Sequence, residues 1–380
     1  MIEVIEVKTK KQWKEFATFP IKLYKDSKYY VPAFVTDDMY MANEKKNFSA
    51  KNCIVKAFLA YKDGVLAGRI AGIIVNESNE KFNQKNVRFS RFDFIDDKNV
   101  AEALIKAVES FGKEYGMEVI HGPWGFNDAD REGMLTFGFD KKATYATNYN
   151  FDYYPEYVKS LGFDEESVWI EETIVCPKTD DPLYGKYTKL GSYVKEKYGL
   201  RELTDTLSVK QIVKKYGDGF FDCYNEAYKH LDMYIPIVGD AKKVVLKQFA
   251  TVINPKYLSV LVNENDEVVA FGVILPEIGP VLKKHDGKLT LPAIFDLAKA
   301  LNKPKNLELT LVGVRPEYAK LGFTAACIGK MMKEINENNI ENIVSNPTLL
   351  TNTAVRAQWS KFDHKEIKRR KTYIRKIASI

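Results

Sequence analysis

The sequence predicts a mixed α/β (α+β) protein of two tandem domains, each a mixed, mainly antiparallel sheet flanked by helices. Three observations predict it. At 380 residues the chain exceeds the roughly 100–200 residues of an ordinary domain, so two cores are expected. Short apolar runs with strand periodicity alternate with amphipathic helical stretches along its whole length. Two passages also recur about 200 residues apart, a period suited to duplicated domains and too long for solenoid repeats. Lys62–Val75 (KDGVLAGRIAGIIV) matches Asn265–Glu277 (NDEVVAFGVILPE), and Tyr153–Ile174 matches Arg356–Ile377, each of the latter an aromatic helix, a turn and a strand.

Ile2–Val7 alternates as a strand, and Trp13, Phe16 and Leu23 recur at helical spacing across Lys10–Tyr24. Two apolar runs flank Asp63–Gly64, a turn pair in which Gly accepts positive φ, so antiparallel neighbours are expected there. Val87–Ile95 reads as a strand. A helix follows from Asp97 to about Tyr115, with Val100, Leu104, Val108 and Phe111 on one face and Gly116 ending it. Met117–Ile120 is a short strand, and His121–Arg131 is a polar loop rich in Gly, Asn and Asp. A helix near Pro155–Leu161 and a strand at Val168–Val175 close the first half. Pro, Gly and Lys with weak periodicity fill Cys176–Leu200, which places the junction between domains at 1–178 and 196–380. The second half then repeats the order: a strand near Leu200, helices across Leu207–Tyr228 and Ala241–Phe249, and strands at Tyr257–Val262, Val268–Leu275 and Leu307–Val314. Helix Gly322–Ile335, strand Asn342–Ser345, helix Thr353–Trp359 and strand Ile367–Ile377 complete it.

With 45% hydrophobic and 28% charged residues, the chain has the makeup of a folded protein, which excludes disordered and collagenous classes. Its apolar runs are broken by Gly or charge well short of the ~20 residues that span a bilayer, and the N-terminus lacks a signal-peptide pattern, so a cytoplasmic protein with no membrane partner is expected. Cys53, Cys176, Cys223 and Cys327 lie far apart, as do the 4 histidines, so neither a disulfide framework nor a metal site is expected. The net charge of +6 is dispersed except for Lys368–Lys371 (KRRK). That run reads either as a contact for nucleic acid or an anionic surface, or as the solvated face of a terminal strand. No base-stacking motif accompanies it, and nucleic acid is not expected as a partner.

The segment richest in chemistry is Leu307–Ile335, an apolar strand, a short loop with Pro and Gly, and an amphipathic helix. A strand feeding a helix through a tight Gly loop aims several backbone N–H groups and the positive end of the helix dipole at one place, where a pyrophosphate can sit. Within it, Val314–Arg315–Pro316–Glu317–Tyr318 followed by Gly322 resembles the phosphate-binding motif of the GNAT acyltransferase superfamily. The family's loop carries Arg or Gln where this chain has Ala319, and Gly or Ala where it has Thr324. Downstream, Asn352, Ala354, Gln358–Trp359 and Phe362 resemble the second GNAT motif, with Trp359 where the family places an acidic Tyr; an indole N–H cannot serve as that acid.

The resemblance implies acetyl-CoA or another acyl-CoA as cosubstrate, held by Val312, Val314, Leu321, Gly322, Phe323, Thr324, Ala325 and Asn352. It implies Glu308, the acid on the preceding strand, as the base that takes the amine proton, and a backbone N–H near Val314 facing the reacting carbonyl. The first half resembles a GNAT domain in element order, but its equivalent loop carries Asp93, Asp96 and Asp97 without Gly, so no cofactor is expected there. The passages His121–Asp140, Asn148–Glu166 and Leu23–Pro32 (LYKDSKYYVP) resemble an uncharacterised bacterial family of GNAT-like proteins. Trp124, Asn127, Asp128, Asn148, Tyr149 and Tyr153 have the composition of a small-molecule cleft; a turn-rich loop capping its own helix has the same composition. The implied activity is transfer of an acyl group, acetyl by the family's habit, to an amine of a small molecule or peptide. A non-catalytic ligand-binding protein on the same twin fold, and a tRNA-dependent aminoacyl transferase, remain as alternatives.

Overall fold

In the first half the chain forms β1 (Ile2–Glu6), α1 (Lys10–Leu23), α2 (Val35–Met39), β2 (Cys53–Lys62), β3 (Val65–Val75), α3 (Asn76–Lys81), β4 (Asn86–Phe94) and α4 (Lys98–Glu114). β5 (Val119–Gly122), β6 (Met134–Phe137), α5 (Tyr153–Ser160) and β7 (Asp164–Ile174) follow. The connecting α6 (Pro182–Lys197) leads to β8 (Arg201–Glu202), α7 (Val209–Tyr228), α8 (Asp240–Ala250), β9 (Leu258–Val262), β10 (Val268–Pro276), α9 (Gly279–Lys284) and α10 (Leu291–Asn302). β11 (Asn306–Val314), α11 (Phe323–Glu337), β12 (Asn342–Ser345), β13 (Thr348–Leu349), α12 (Thr353–Trp359) and β14 (His364–Lys376) complete the second half. The computed structural model describes residues 1–127, 130–231, 234–250 and 252–378.

Local chemistry explains these boundaries. Thr9 and Gln12 close a capping box on α1, as Ser208 and Gln211 do on α7. Asp63 and Gly64 take positive φ and join β2 to β3, which pair antiparallel from Lys62 and Val65 onward. The stretch read as an irregular junction holds a 16-residue helix, α6. Its Asp181 caps the first turn through Leu183 N–H at 2.7 Å, and Pro182 sits where a missing N–H costs nothing.

The strands form one 14-stranded sheet in the order β1-β2-β3-β4-β5-β14-β7-β12-β11-β10-β9-β8, with β6 on β14 and β13 on β7. The order is pseudo-symmetric. β5 and β6 pair in succession along one edge of β14, and β12 and β13 along one edge of β7, so each half's last strand completes the other half's sheet. β7 and β14 then pair with each other along most of their length. Two sheets meeting at the junction were expected, and the exchange instead merges them. An unexchanged pair would leave two exposed mid-molecule edges, and the seam covers both. The packing stays divided. α4 packs with β3 and β4 around Val87, Phe94, Leu104 and Phe111, α7 packs on β9 and β10, and α11 packs on β10 and β11. Tyr24, Tyr30 and Val31 of the first half meet Ile278 and Leu282 of the second.

The seam carries the basic run. Lys368 and Arg370 are fully buried and share Glu171, at 2.5 and 2.6 Å. Lys368 also donates to Lys142 O (2.8 Å) and Arg370 to Asn148 O (2.6 Å). Arg369 pairs with Glu366, and Lys371 with Glu165. Lys368 and Arg370 are therefore not an open anion-binding surface but cross the middle of the sheet, while Arg369 and Lys371 alternate to the other face, where the Arg369–Glu366 pair meets solvent. Among the described residues, no helix is long and apolar enough to cross a membrane, and all 4 cysteines are free thiols.

Burial works to raise the Glu171 carboxyl, and Arg370 and Lys368 hold it below the ordinary range. Removing it strands two cations. Glu171→Ala is expected to destabilise the protein by about 3–5 kcal/mol in urea unfolding, whereas Glu366→Ala, on an exposed pair, should change stability by less than about 1 kcal/mol.

Candidate functional site

β11 and β12 pair in parallel only over Asn306–Leu309 and Asn342–Ser345. Asn346 N–H then donates to Leu309 O at 2.9 Å, β12 ends, and β11 runs on to Val314 with that edge clear of β12. At the same point the β10–β11 register shifts, so Thr310 has no opposite residue: Val273 faces Leu311 while Ile274 faces Leu309. Such a bulge re-aims the side chains beyond it. Leu309 packs with Met331 and Ile335 toward α11, and Leu311 packs with the α7 cluster on the opposite face. Leu309, Thr310, Leu311 and Val312 are all half-buried although β11 is an interior strand, because all four line one cavity of about 1460 Å³ that passes through the splay.

Glu308 stands where the bulge begins. It lines the cavity, is 4% exposed, and takes the backbone N–H of Tyr145 on Oε1 at 3.4 Å. Burial pushes its carboxyl up to about 8; the Tyr145 N–H opposes this, the charge of Glu277 adds to it, and Lys368 opposes it. A carboxyl that titrates there is suited to exchange a proton with an amine near neutral pH.

The opposite wall comes from the first half. Arg69, inside the apolar β3, binds Asp38 (2.6 Å) and Asp93 (2.7 Å). Arg91, at a positive-φ bulge of β4, binds Asp38 (3.2 Å) and holds Asp130 through two nitrogens at 2.8 and 3.0 Å. Burial would raise Asp38, and Arg69 and Arg91 keep it below the usual range. Arg131 donates to Tyr145 O at 2.6 Å, which ties this network to the residue on Glu308. None of Asp38, Arg69, Arg91, Arg131 or Tyr145 stood out as a site residue in the sequence. The available signal was a lone Arg within an apolar strand, which demands a buried partner.

The residues expected to hold acyl-CoA divide. Val312 and Asn352 line the cavity, and Asn352 caps α12 by accepting from Val355 N–H (3.2 Å). Val314 packs with α11. Gly322 is the N-cap of α11 at φ +84°, a conformation that favours glycine. Phe323 is buried and stacks on Tyr318 at 4.9 Å, Ala325 is buried, Thr324 is half-buried and Leu321 is exposed. α6 covers one flank of α11, where Gly191 lies against Ala326 and Gly329 against the Tyr187 backbone. The loop at 319–321 stays exposed, with Lys320 on it. In the first half the equivalent carboxylates are engaged: Asp93 by Arg69 and Tyr24, Asp96 by Tyr157, and Asp97 by Lys62 and the α4 N-terminus.

Of the expected cleft residues, Trp124, Asn127 and Asn148 line the cavity. Trp124 packs edge-on to Trp169 at 5.2 Å, and Asn127 donates to Ser49 at 3.2 Å. Tyr149 and Tyr153 lie away from it in aromatic packing with Tyr24 and Phe151 and with Phe94, and Tyr153 donates to Phe94 O (2.8 Å). Asp128 lies outside the described residues. Trp359 lines the cavity, so no phenol acid stands at that position. Among the described residues, no three His, Cys, Asp or Glu gather as a metal site.

The splay also fits an acyl-CoA arm. Asn346 Oδ1 is buried at the opening and, among the described residues, has no hydrogen-bond partner; the amide N–H groups of such an arm are donors. The turn at Gly322, beside the exposed loop 319–321, offers the backbone approach and dipole that phosphates require.

No family model matches the sequence. The chain is similar to Protein YghO of Escherichia coli K12, 24% identical over 97% of this chain and 94% of that one. Among solved structures it is similar to a tandem GNAT protein from the clavulanic acid biosynthesis pathway, with TM-score 0.54, 9% identity and complete coverage of both chains. It is also similar to a GCN5-related N-acetyltransferase from Sphaerobacter thermophilus, with TM-score 0.53 and 8% identity over 100% of this chain and 96% of the other. The likenesses to the two solved structures are of fold.

The raised carboxyl makes a prediction about stability. Between the unfolded value of 4.5 and the folded value of about 8, the folded state holds a proton that the unfolded state has lost, so stability falls as pH rises through that window. Glu308→Gln removes the effect. The variant should be more stable than the parent at pH 8 by a few kcal/mol, and by much less at pH 5, in urea unfolding at each pH.

Proposed function

Starting from a chain with the tandem GNAT fold, we propose that it is an acyl-CoA-dependent N-acyltransferase whose acceptor is an amine of a small molecule or peptide. In this reading the second half, 196–380, holds the thioester, and the first half, 1–178, supplies the acceptor wall. The observation that carries it is Glu308, a buried acid with its carboxyl raised to about 8, placed where the splayed strands and the first half meet.

The roles follow from position. Leu321–Ala325 receives the pyrophosphate on the α11 N-terminus, with Gly322 permitting close backbone approach. Val312 and Asn352 flank the arm. When bound, the cosubstrate supplies an acyl carbon activated by a thiolate leaving group. Glu308 Oε2 accepts the amine proton as nitrogen attacks that carbon, and a backbone N–H of the strand between the Thr310 bulge and Val314 faces the carbonyl oxygen. Trp124, Asn127 and Asn148 border the acceptor. With tryptophan at position 359, the leaving thiolate takes its proton from solvent or from Glu308.

Two outcomes check this. With acetyl-CoA and a panel of small primary amines, Glu308→Gln should lower thioester consumption by at least about 100-fold, and the parent's rate should rise with pH and level off near 8. Gly322→Val should weaken acetyl-CoA binding about tenfold or more by calorimetry, since a β-branched residue at φ +84° is strained, while Asp96→Ala should leave it unchanged. Equal affinity for Gly322→Val and the parent would remove the cosubstrate from this loop.

A further inference from the structure

The cavity is larger than an acetyl group and an amine require. Its volume of about 1460 Å³ exceeds the roughly 300–1,000 Å³ of ordinary small-molecule pockets. Its chemistry is also divided. The wall that meets Glu308 through Tyr145 is charged, built from Asp38, Arg69, Arg91, Asp130 and Arg131. Beyond Leu311 the lining becomes apolar: Ile212, Val213 and Phe220 from α7, Val245 from α8, and Val273 and Leu275 from β10. Phe220, Val213, Val245 and Leu275 are only half-buried where they line the cavity. At its margin stand Leu289, just before α10, and Ile294 of α10, each 51% exposed, with Leu291 and Phe295 of α10 beside them at 75% and 76%.

We infer that the compartment between α7, α8 and the β10–β11 face binds a medium- to long-chain acyl group of the thioester donor. The inference rests on the acyltransferase reading and specifies its donor. The amine must reach Glu308, and the charged first-half wall is on that side. The acyl carbonyl must lie at the Thr310 bulge, after which the strand turns Leu311 into the apolar compartment. The space left for whatever extends from the carbonyl is hydrocarbon-like, and the exposed apolar residues of α10 give an extended chain a route to it. A short acyl donor would leave these half-buried apolar surfaces wet.

Calorimetry with acetyl-CoA, hexanoyl-CoA and dodecanoyl-CoA on the full chain tests this. Each methylene taken out of water is a factor of about four in affinity, so dodecanoyl-CoA should bind at least about 50-fold tighter than acetyl-CoA, with hexanoyl-CoA between them. Val213→Trp and Val245→Trp, which fill the compartment, should each lower dodecanoyl-CoA affinity about tenfold or more and leave acetyl-CoA within about twofold. If all three thioesters bind equally and Gly322→Val still weakens them, the long-chain donor is overturned and the acyltransferase reading stands. A length preference that both Trp variants leave intact overturns this location for the chain. Binding of no thioester overturns both. If either Trp variant fails to fold, the length series on the parent decides.

Discussion

At the centre of the sheet a single carboxylate, Glu171, holds two buried cations, Lys368 and Arg370, between β7 and β14. Neither cation is fully neutralised by Glu171 alone. Each also donates to a backbone carbonyl of the segment 142–148, to Lys142 O and Asn148 O. Removing three charges from water is costly, and the arrangement persists because the carboxylate and carbonyls together satisfy most of the donors. The cluster also fixes the register of two long strands that change halves. A slip by one residue would turn Lys368 and Arg370 to the opposite face, away from Glu171.

The candidate site inherits its geometry from this seam. The cations anchor the segment that contains Tyr145, and Tyr145 N–H reaches Glu308 on β11. The strand exchange thus brings a first-half loop onto the second half's acid. Electrostatics follow the same route: Lys368 lowers the Glu308 carboxyl and Glu171 raises it, and both are weaker than the burial that the seam imposes. The splay has a separate cause. β12 is only four residues long, so β11 outruns it, and the bulge at Thr310 then sets which face receives Leu311. Polar anchoring on one side and an early strand end on the other produce a cavity that is charged toward the first half and apolar toward α7.

Much of this was legible in the residues. The Asp63–Gly64 turn, the duplicated hairpin and the duplicated helix–strand unit required only local turn chemistry and periodicity, and the structure places both copies in equivalent positions. Glu308 was identifiable as the sole acid on its strand, though its burial was not. Four features escaped for physical reasons. α6 reads as a loop because its Asp181–Pro182 start looks like a turn, and an Asp cap followed by Pro is equally a helix N-terminus. The basic run reads as surface because no local pattern reveals that β14 crosses into the other half, where Glu171 waits 199 residues away in sequence. Tyr149 and Tyr153 have the composition of a binding surface and serve as packing, since aromatic clusters and aromatic clefts share residue types and differ only in what covers them. The ties of Arg69 and Arg91 to Asp38, Asp93 and Asp130 likewise depend on tertiary register.

Burial on β11 leaves Glu308 with a carboxyl that gains and loses its proton near neutral pH while facing the cavity. The most direct measurement is carboxyl carbon NMR on protein labelled at the glutamate side chains, titrated from pH 4 to pH 10 (about six units), with Glu308→Gln to assign the resonance. One resonance, absent in the variant, should titrate near 8 and shift when acetyl-CoA is added. If the resonance lost in Glu308→Gln titrates at the ordinary glutamate value near 4.5, the acid is not poised for the chemistry assigned to it, and the account of the site fails at its core.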